Sequence, residues 1–223
     1  MKALFRNLVL PVVFPVLLLD QLVKFWIKTS FTIGEQYPMV PGLLELQFIE
    51  NEGMAFGWAL PGVAGKLALT LFRVIAAIGI GWFALKLIRE SAHRGLILSV
   101  GFVWAGAMGN IIDSAVYGLV FSASGWEMVA RFLPVEGGYA PLGMGHVVDM
   151  FHFTLRWPAS WPIASMQGRE VFPPIWNVAD AAISCGMIWI LIRQRTYFPP
   201  EPGEVKASEP SSEQGAEEES GAA

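Results

Sequence analysis

The chain has 223 residues, 54% of them hydrophobic and only 15% charged, with a mean hydropathy of +0.49. That composition excludes an ordinary soluble domain and reads as an integral membrane protein. The formal charge of −4 is concentrated in the tail: the seven glutamates and one lysine of residues 201–219 contribute −6 and leave +2 for everything before them, a balance with no nucleic-acid footprint.

The N-terminus starts basic and turns apolar from Leu8 to Leu19, as a signal peptide would, but no small-residue cleavage site follows. Instead the segment continues to Ile27, and a first membrane span is predicted over about residues 7–27. Asp20 and Lys24 lie four apart with the acid leading, so they share a face and can pair. Such a pair either makes both charges tolerable or supports an active site at the same depth.

From Thr29 to Gly65 there is no Lys or Arg but there are four acids, Glu35, Glu45, Glu50 and Glu52, which places this loop outside the cytoplasm. Within it LLELQFIEN alternates, with Leu44, Leu46 and Phe48 on one side, and predicts a strand along the membrane surface. NEGMAFG follows, where Asn51 offers an amide beside Gly53 and Gly57, residues that let backbone approach a ligand and that also make ordinary turns.

A second span is predicted at 67–88, with Lys86, Arg89 and Arg94 marking its cytoplasmic end. Arg73, about two turns inside the outer end, either snorkels to the surface or pairs with intramembrane carboxylates. The third span, 95–120, spaces Gly101, Ala105 and Gly109 by four, a ladder for close helix packing, and carries Asn110 and Asp113 on one face near its outer end. The segment 121–174 is rich in Trp, Gly and Pro, fits an outer domain at headgroup level, and includes SGWEMVARFLPVEGGYAPLG, which reads as a short amphipathic surface helix and a turn. A fourth span over 175–192 ends at Arg193 and Arg195, so both termini are cytoplasmic. Cys185, the lone cysteine, excludes a disulfide framework and is expected to be a small packed side chain. The acidic tail 197–223 is expected to be disordered, leaving 1–196 as the membrane domain.

Two acids stand out, Asp149 in GHVVDMFHF and Asp180 in WNVADAAISCG. Each sits in an apolar run, where an ionised side chain costs about 2.5 kcal/mol or more and is normally kept for a use. His146, Asp149 and His152 raise a metal site, but a strand would turn Asp149 away from both histidines and a helix would separate the histidines. A dyad is the better fit: like charges in a small dry site share a proton, so one acid serves as base toward water and the other as donor to a carbonyl. No G-x-S-x-G elbow and no phosphate loop is visible. The rival from another class is a small transporter or channel component whose buried acids relay protons or bind a cation, although no internal repeat points to one.

Taken together, Asp20 with Lys24, NEGMAFG, GAMGNIID, GHVVDM and WNVADAAISCG resemble, in order, the five motifs of lipoprotein signal peptidase, signal peptidase II. The resemblance implies an all-α integral membrane enzyme of four transmembrane helices with a small extracytoplasmic β-cradle, acting in the bacterial inner membrane. It implies an aspartyl endopeptidase, expected as a monomer, that cuts diacylglyceryl-modified prolipoproteins before the lipidated cysteine without metal or other cofactor. By motif match Asp149 and Asp180 are the catalytic pair. Asn51, with Gly53, Asn110 and Asn177 are polar groups around substrate and pair, and Asp20, Lys24 and Asp113 support the site. Two departures stand out: Ser114 occupies the position where the family usually carries Arg, and the connector from Asp113 to Asp149 is longer than usual. Arg73 is expected to supply the missing guanidinium.

Overall fold

The computed structural model describes residue 8 and residues 11–52 and 62–199. Gly53, Gly57 and the acidic tail beyond Pro199 lie outside the described residues. Helix α1 runs Phe14–Ser30, with proline in its first turn and the Phe31 N–H closing on the Ile27 carbonyl at its end. It outlasts the predicted span by three residues, since Lys28 is buried in the fold instead of flanking a membrane surface. A second helix, α2, spans Gly62–Arg89 and starts five residues earlier than expected. His93 then caps α3, Arg94–Ile112, its ring accepting the Gly95 N–H at 3.0 Å. The chain continues helically through a π turn, Asp113–Tyr117, and a last turn to Val120. Helix α4, Val178–Ile192, leads into the short α5, Gln194–Tyr197.

Among the described helices, α2 and the continuous stretch Arg94–Val120 are long and apolar enough to cross a bilayer. The α2 window is only 11% buried, and Leu71, Phe72, Ile75, Ile78 and Trp82 face outward. Water would penalise such a surface, whereas acyl chains suit it. Helices α3 and α4 meet at small residues: a Cβ on Gly106 would run into the Ala179 carbonyl, and one on Gly109 into the Asp20 carboxylate. Of the predicted ladder, Gly101 faces Leu8 and Val12 just before α1, and Gly109 faces both Asp20 of α1 and Ala179 of α4; Gly106, outside that ladder, makes the close contact with α4.

Three antiparallel strands, β1 Gln36–Val40, β2 Leu44–Asn51 and β3 Val147–Phe153, form one sheet in that order. The alternation expected in LLELQFIEN holds, with Leu46 and Phe48 buried. Ile27, Phe31, Phe48, Phe121, Val148 and Met150 then form a core that welds the sheet to the ends of α1 and α3. A separate core of Leu8, Leu87, Leu96 and Val100 closes the opposite end of the bundle. The polar site lies between them.

Two expectations are corrected. Residues 122–146 contain no helix; Phe121 pairs with Phe132 as an antiparallel bridge, and the Ser122 N–H donates to the Arg131 carbonyl while the Ser122 hydroxyl oxygen accepts the Arg131 N–H, making an irregular hairpin. Phe121 and Phe132 both pack on Phe25 of α1, and that aromatic contact overrides the weak helical pattern. Cys185 is exposed, not packed, because its side of α4 turns outward, as do Ile188 and Trp189.

Candidate active site

Four chain segments meet at the sheet end of the bundle, and each delivers polar groups for a local reason. Asp20 and Lys24 lie one turn apart on α1, with Oδ2 to Nζ at 2.9 Å. Asn110 is on the last turn of α3, and Asp113 opens the π turn, the extra residue of which shifts the following side chains. Asp149 lies mid-strand on β3. Asn177 caps α4: its Oδ1 accepts the Asp180 N–H at 3.0 Å and the Asp180 Oδ2 accepts the Asn177 N–H at 3.2 Å, a reciprocal capping box.

Lys24, with no exposed surface, neutralises two acids at once, Asp20 at 2.9 Å and Asp113 at 2.7 Å, and donates to Asn110 Oδ1 at 2.9 Å. Asp20 Oδ1 accepts the Ala179 N–H at 2.8 Å, so α1 also caps α4. Asp113 Oδ2 accepts the Val148 N–H at 3.3 Å and thereby holds β3. Above this base the two candidate acids face neutral amides. Asn177 Nδ2 donates to Asp149 Oδ1 at 2.6 Å and Asn51 Nδ2 donates to Asp149 Oδ2 at 3.2 Å. Asn110 Nδ2 donates to Asp180 Oδ1 at 2.9 Å. Asn177 Nδ2 also reaches Asn110 Oδ1 at 3.2 Å, so the two acids and three asparagines form one network.

Asp149 is only 2% exposed. Burial pushes its carboxyl up to about 7, and the neighbouring Asp180 charge pushes the same way. Hydrogen bonds from Asn51 and Asn177 and the Lys24 charge only partly oppose this. Such a group exchanges a proton near neutral pH, the property required of an acid–base catalyst.

A model of the signal peptidase II family matches residues 12–195. The chain belongs to that family. Lipoprotein signal peptidase of Porphyromonas gingivalis is 38% identical over 180 residues, covering 79% of this chain and 77% of the relative; the one from Syntrophus aciditrophicus is 28% identical over 79% and 85%. A bacterial membrane enzyme structure determined by the in meso method at 2.3 Å resolution is similar in fold, with a TM-score of 0.55 at 22% identity over 85% of this chain and 89% of that one. The protein is therefore a membrane protease of the signal peptidase II family.

Every site residue expected from the sequence that lies among the described residues falls in or beside this network. Asp149, Asp180, Asp20, Lys24, Asn51, Asn110, Asp113 and Asn177 are linked by the contacts above; Gly53 lies outside the described residues. Arg73 of α2 donates from Nη1 to Ser114 Oγ at 3.2 Å, and Ser114 passes the link to the Asn110 carbonyl at 2.9 Å. The charges of Asp180, Asp149 and Asp113 all act on this guanidinium. His146 and His152 are engaged elsewhere, His146 with Glu50 at 3.2 Å and His152 with Glu45 at 2.9 Å and Glu170 at 3.2 Å.

Sequence reasoning missed two contributors. Gln21 donates from Nε2 to the Asp20 and Asp113 carboxylates at 3.1 and 2.9 Å, and its Oε1 accepts a hydrogen bond from the Tyr117 hydroxyl at 3.2 Å. Lys28 is buried against Glu50 and donates to Ser124 Oγ at 3.0 Å, under the rings of Phe121 and Tyr139. Its signal was present, since Asp20, Lys24 and Lys28 repeat every four residues along one face of α1.

Proposed function

We propose that this protease is an aspartyl endopeptidase with Asp149 and Asp180 as its catalytic pair, removing the signal peptide of lipid-modified prolipoproteins just before the lipidated cysteine. The observation that carries this reading is the single residue Asn177, which joins the two acids. Its side chain donates to Asp149 Oδ1 at 2.6 Å and accepts the Asp180 N–H at 3.0 Å, while Asp149 is raised to about 7. The Asp180 carboxyl accepts the Asn177 backbone N–H at 3.2 Å, so Asn177 holds one acid with its side chain and the other with its main chain; two carboxyls so placed, one of them ready to carry a proton, are what attack by water on a peptide carbonyl requires.

In this mechanism Asp180 takes a proton from water as the water oxygen bonds to the scissile carbonyl carbon, and Asp149 gives its proton to the carbonyl oxygen. Collapse of the tetrahedral adduct breaks the C–N bond. The proton on Asp180 passes to the leaving amine, and an adduct hydroxyl returns its proton to Asp149, which restores both acids. Asn51 and Asn177 orient Asp149, Asn110 orients Asp180, and the Asp20–Lys24–Asp113 base fixes the heights of α1, α3 and β3. Arg73, reaching Ser114, supplies a guanidinium beside the pair. No metal is required by these steps.

The same reading gives four spans in the bacterial inner membrane, with the termini in the cytoplasm and residues 1–196 as the peptidase domain. In support, Lys86, Arg89, Arg94, Arg193 and Arg195 mark one side, while the acidic 29–65 loop marks the other. Membrane lipid and the lipidated prolipoprotein are its partners. The test is cleavage of a lipidated prolipoprotein by purified protein in detergent. Cleavage that survives chelator and fails in both Asp149→Asn and Asp180→Asn is expected; loss on adding EDTA would overturn the metal-free mechanism, and retention in either variant would remove that acid from catalysis.

A further inference from the structure

The hairpin made by residues 121–135 exposes an apolar crest that the catalytic reading leaves unused. Trp126 is 78% exposed, Leu133 64% and Val135 101%, and Met128 and Phe132 are exposed beside them. The hairpin is not loosely attached. Phe132 packs edge-on to Phe25 of α1 with ring centroids 5.3 Å apart, the Gly125 carbonyl accepts the Ile33 N–H just beyond α1, and the Trp126 ring lies over Gly34. Leu133 holds a left-handed backbone, φ 48°, fixed by its N–H to the Val120 carbonyl at 2.7 Å. A bulky residue in that conformation, turned outward, gains nothing in water.

Continuity with α1 identifies what covers the crest. Phe14, Leu18, Leu22 and Phe25 are exposed at helical spacing along one face of α1, an apolar stripe that belongs to the lipid-facing surface of a membrane protease. Phe25 is the upper end of that stripe and also the residue on which Phe132 sits. The crest therefore extends the lipid-facing surface outward without a polar break. Its charges, Glu127, Arg131 and Glu136, include no basic cluster, and Arg131 faces Glu136 at 3.8 Å. Attraction to anionic headgroups is not part of its chemistry.

We propose that the 121–135 hairpin is a wedge inserted among the acyl chains of the outer leaflet, its partner being the lipid surface itself. Ser124 on this hairpin donates to Glu50 Oε1 at 2.9 Å, and Glu50 precedes Asn51, which holds Asp149. The depth of the wedge thus sets the height of β2, and with it Asn51, relative to the headgroups. This goes beyond the proposed catalytic chemistry and rests on the membrane topology given with the proposed function.

The test reads position, not cleavage. In a Cys185→Ser background, an environment-sensitive fluorophore is placed at Val135→Cys, at Leu133→Cys and, as a water-exposed reference, at Glu90→Cys; the proteins are reconstituted in phosphatidylcholine vesicles. Val135 makes no packing contact that labelling would remove, so it serves even where the Leu133 variant fails to fold. The expected result is blue-shifted emission at 133 and 135, loss of intensity with lipids carrying a nitroxide near the head of the acyl chain, and resistance to aqueous iodide, all unchanged by salt. Iodide quenching at 135 equal to that at 90 would overturn the proposal. Protection from both quenchers would overturn it too, by showing that a second copy covers the crest.

Discussion

Glu50 and Asp149 stand on neighbouring strands, Glu50 opposite Val148 and Asp149 opposite Ile49, and both carboxyls are nearly removed from water. One is held at about 2 and the other at about 7. Burial raises both. For Glu50 the His146 hydrogen bond, the Lys28 charge and the Ser124 hydroxyl reverse that effect; for Asp149 the neighbours are amides and a second acid, Asp180, which adds to it. The difference shows that this fold does not shift carboxyls by depth alone. Its buried lysines sit where structure must be held, on Glu50 and on the Asp20–Asp113 pair, whereas the two acids proposed for chemistry accept hydrogen bonds from asparagine amides.

Substitution should separate the two acids most sharply. Asp149→Asn should lower the cleavage rate by about 10²- to 10⁴-fold, the range of a lost acid–base group, with the fold intact. Glu50→Gln should do the reverse, leaving Lys28 buried without its counter-charge and lowering stability by about 3–5 kcal/mol while cleavage per folded molecule changes much less. Cleavage and thermal unfolding measured on the same preparations check both halves. A Glu50→Gln protein that melts normally but does not cut would reverse the assignment. Lys24→Met should destabilise by a similar roughly 3–5 kcal/mol, because Asp20 and Asp113 would then face each other with no cation between them.

Acidity distinguishes the pair at a smaller scale. Asp149 must carry a proton to donate, so cleavage should fall as pH rises through about 7, by about tenfold between pH ~6 and pH ~8. The sign for stability follows. The folded protein holds that proton more tightly than the unfolded chain, where the carboxyl titrates near 3.9, so the Asp149 contribution to stability declines as pH rises from about 4 to about 7. Glu50 behaves oppositely: its contribution is present above its ordinary value and is lost as pH falls toward about 2. Unfolding of wild type and Asp149→Asn across that range should show the alkaline decline in the wild type only.

How much of this was legible in the sequence depends on range. The Asp20–Lys24 pair, the placing of Asn110 and Asp113 at the end of the third helix, and the alternating β2 strand all follow from local spacing, and the structure keeps them. The pairing of Asp149 with Asp180 was legible from two acids kept in apolar runs, and their roles from motif resemblance, but no periodicity joins residues on a strand and in a helix's first turn, so the sequence held no geometry for their meeting. The Lys28–Glu50–Ser124–His146 cluster was not read at all. Lys28 looks like a cation flanking a span, and its partners come from β2, the hairpin and the start of β3, three segments whose proximity is a tertiary fact. The hairpin itself was mistaken for a helix because its exposed apolar residues imitate helical spacing, whereas Phe25 and the bridge to Phe132 decide its shape.

Arg73 gives the finest test of the contrast between cation-matched and amide-matched acids. Its guanidinium reaches Ser114 at 3.2 Å and lies in the field of Asp180, Asp149 and Asp113, so it is the cation positioned to moderate the proposed pair without neutralising it as Lys28 does Glu50. Arg73→Ala should lower kcat/KM about fivefold, equivalent to about 1 kcal/mol. Arg73→Lys should restore charge but not the planar donor geometry and should fall between the two. A positioning role predicts that loss of the guanidinium also moves the alkaline limb of the pH–rate profile to higher pH, with Arg73→Lys staying near wild type and Arg73→Ala moving upward, because a removed cation leaves the Asp149 carboxyl easier to protonate. An Arg73→Ala enzyme with full cleavage, normal abundance and an unmoved profile would exclude that role and leave Ser114 as a simple helix contact.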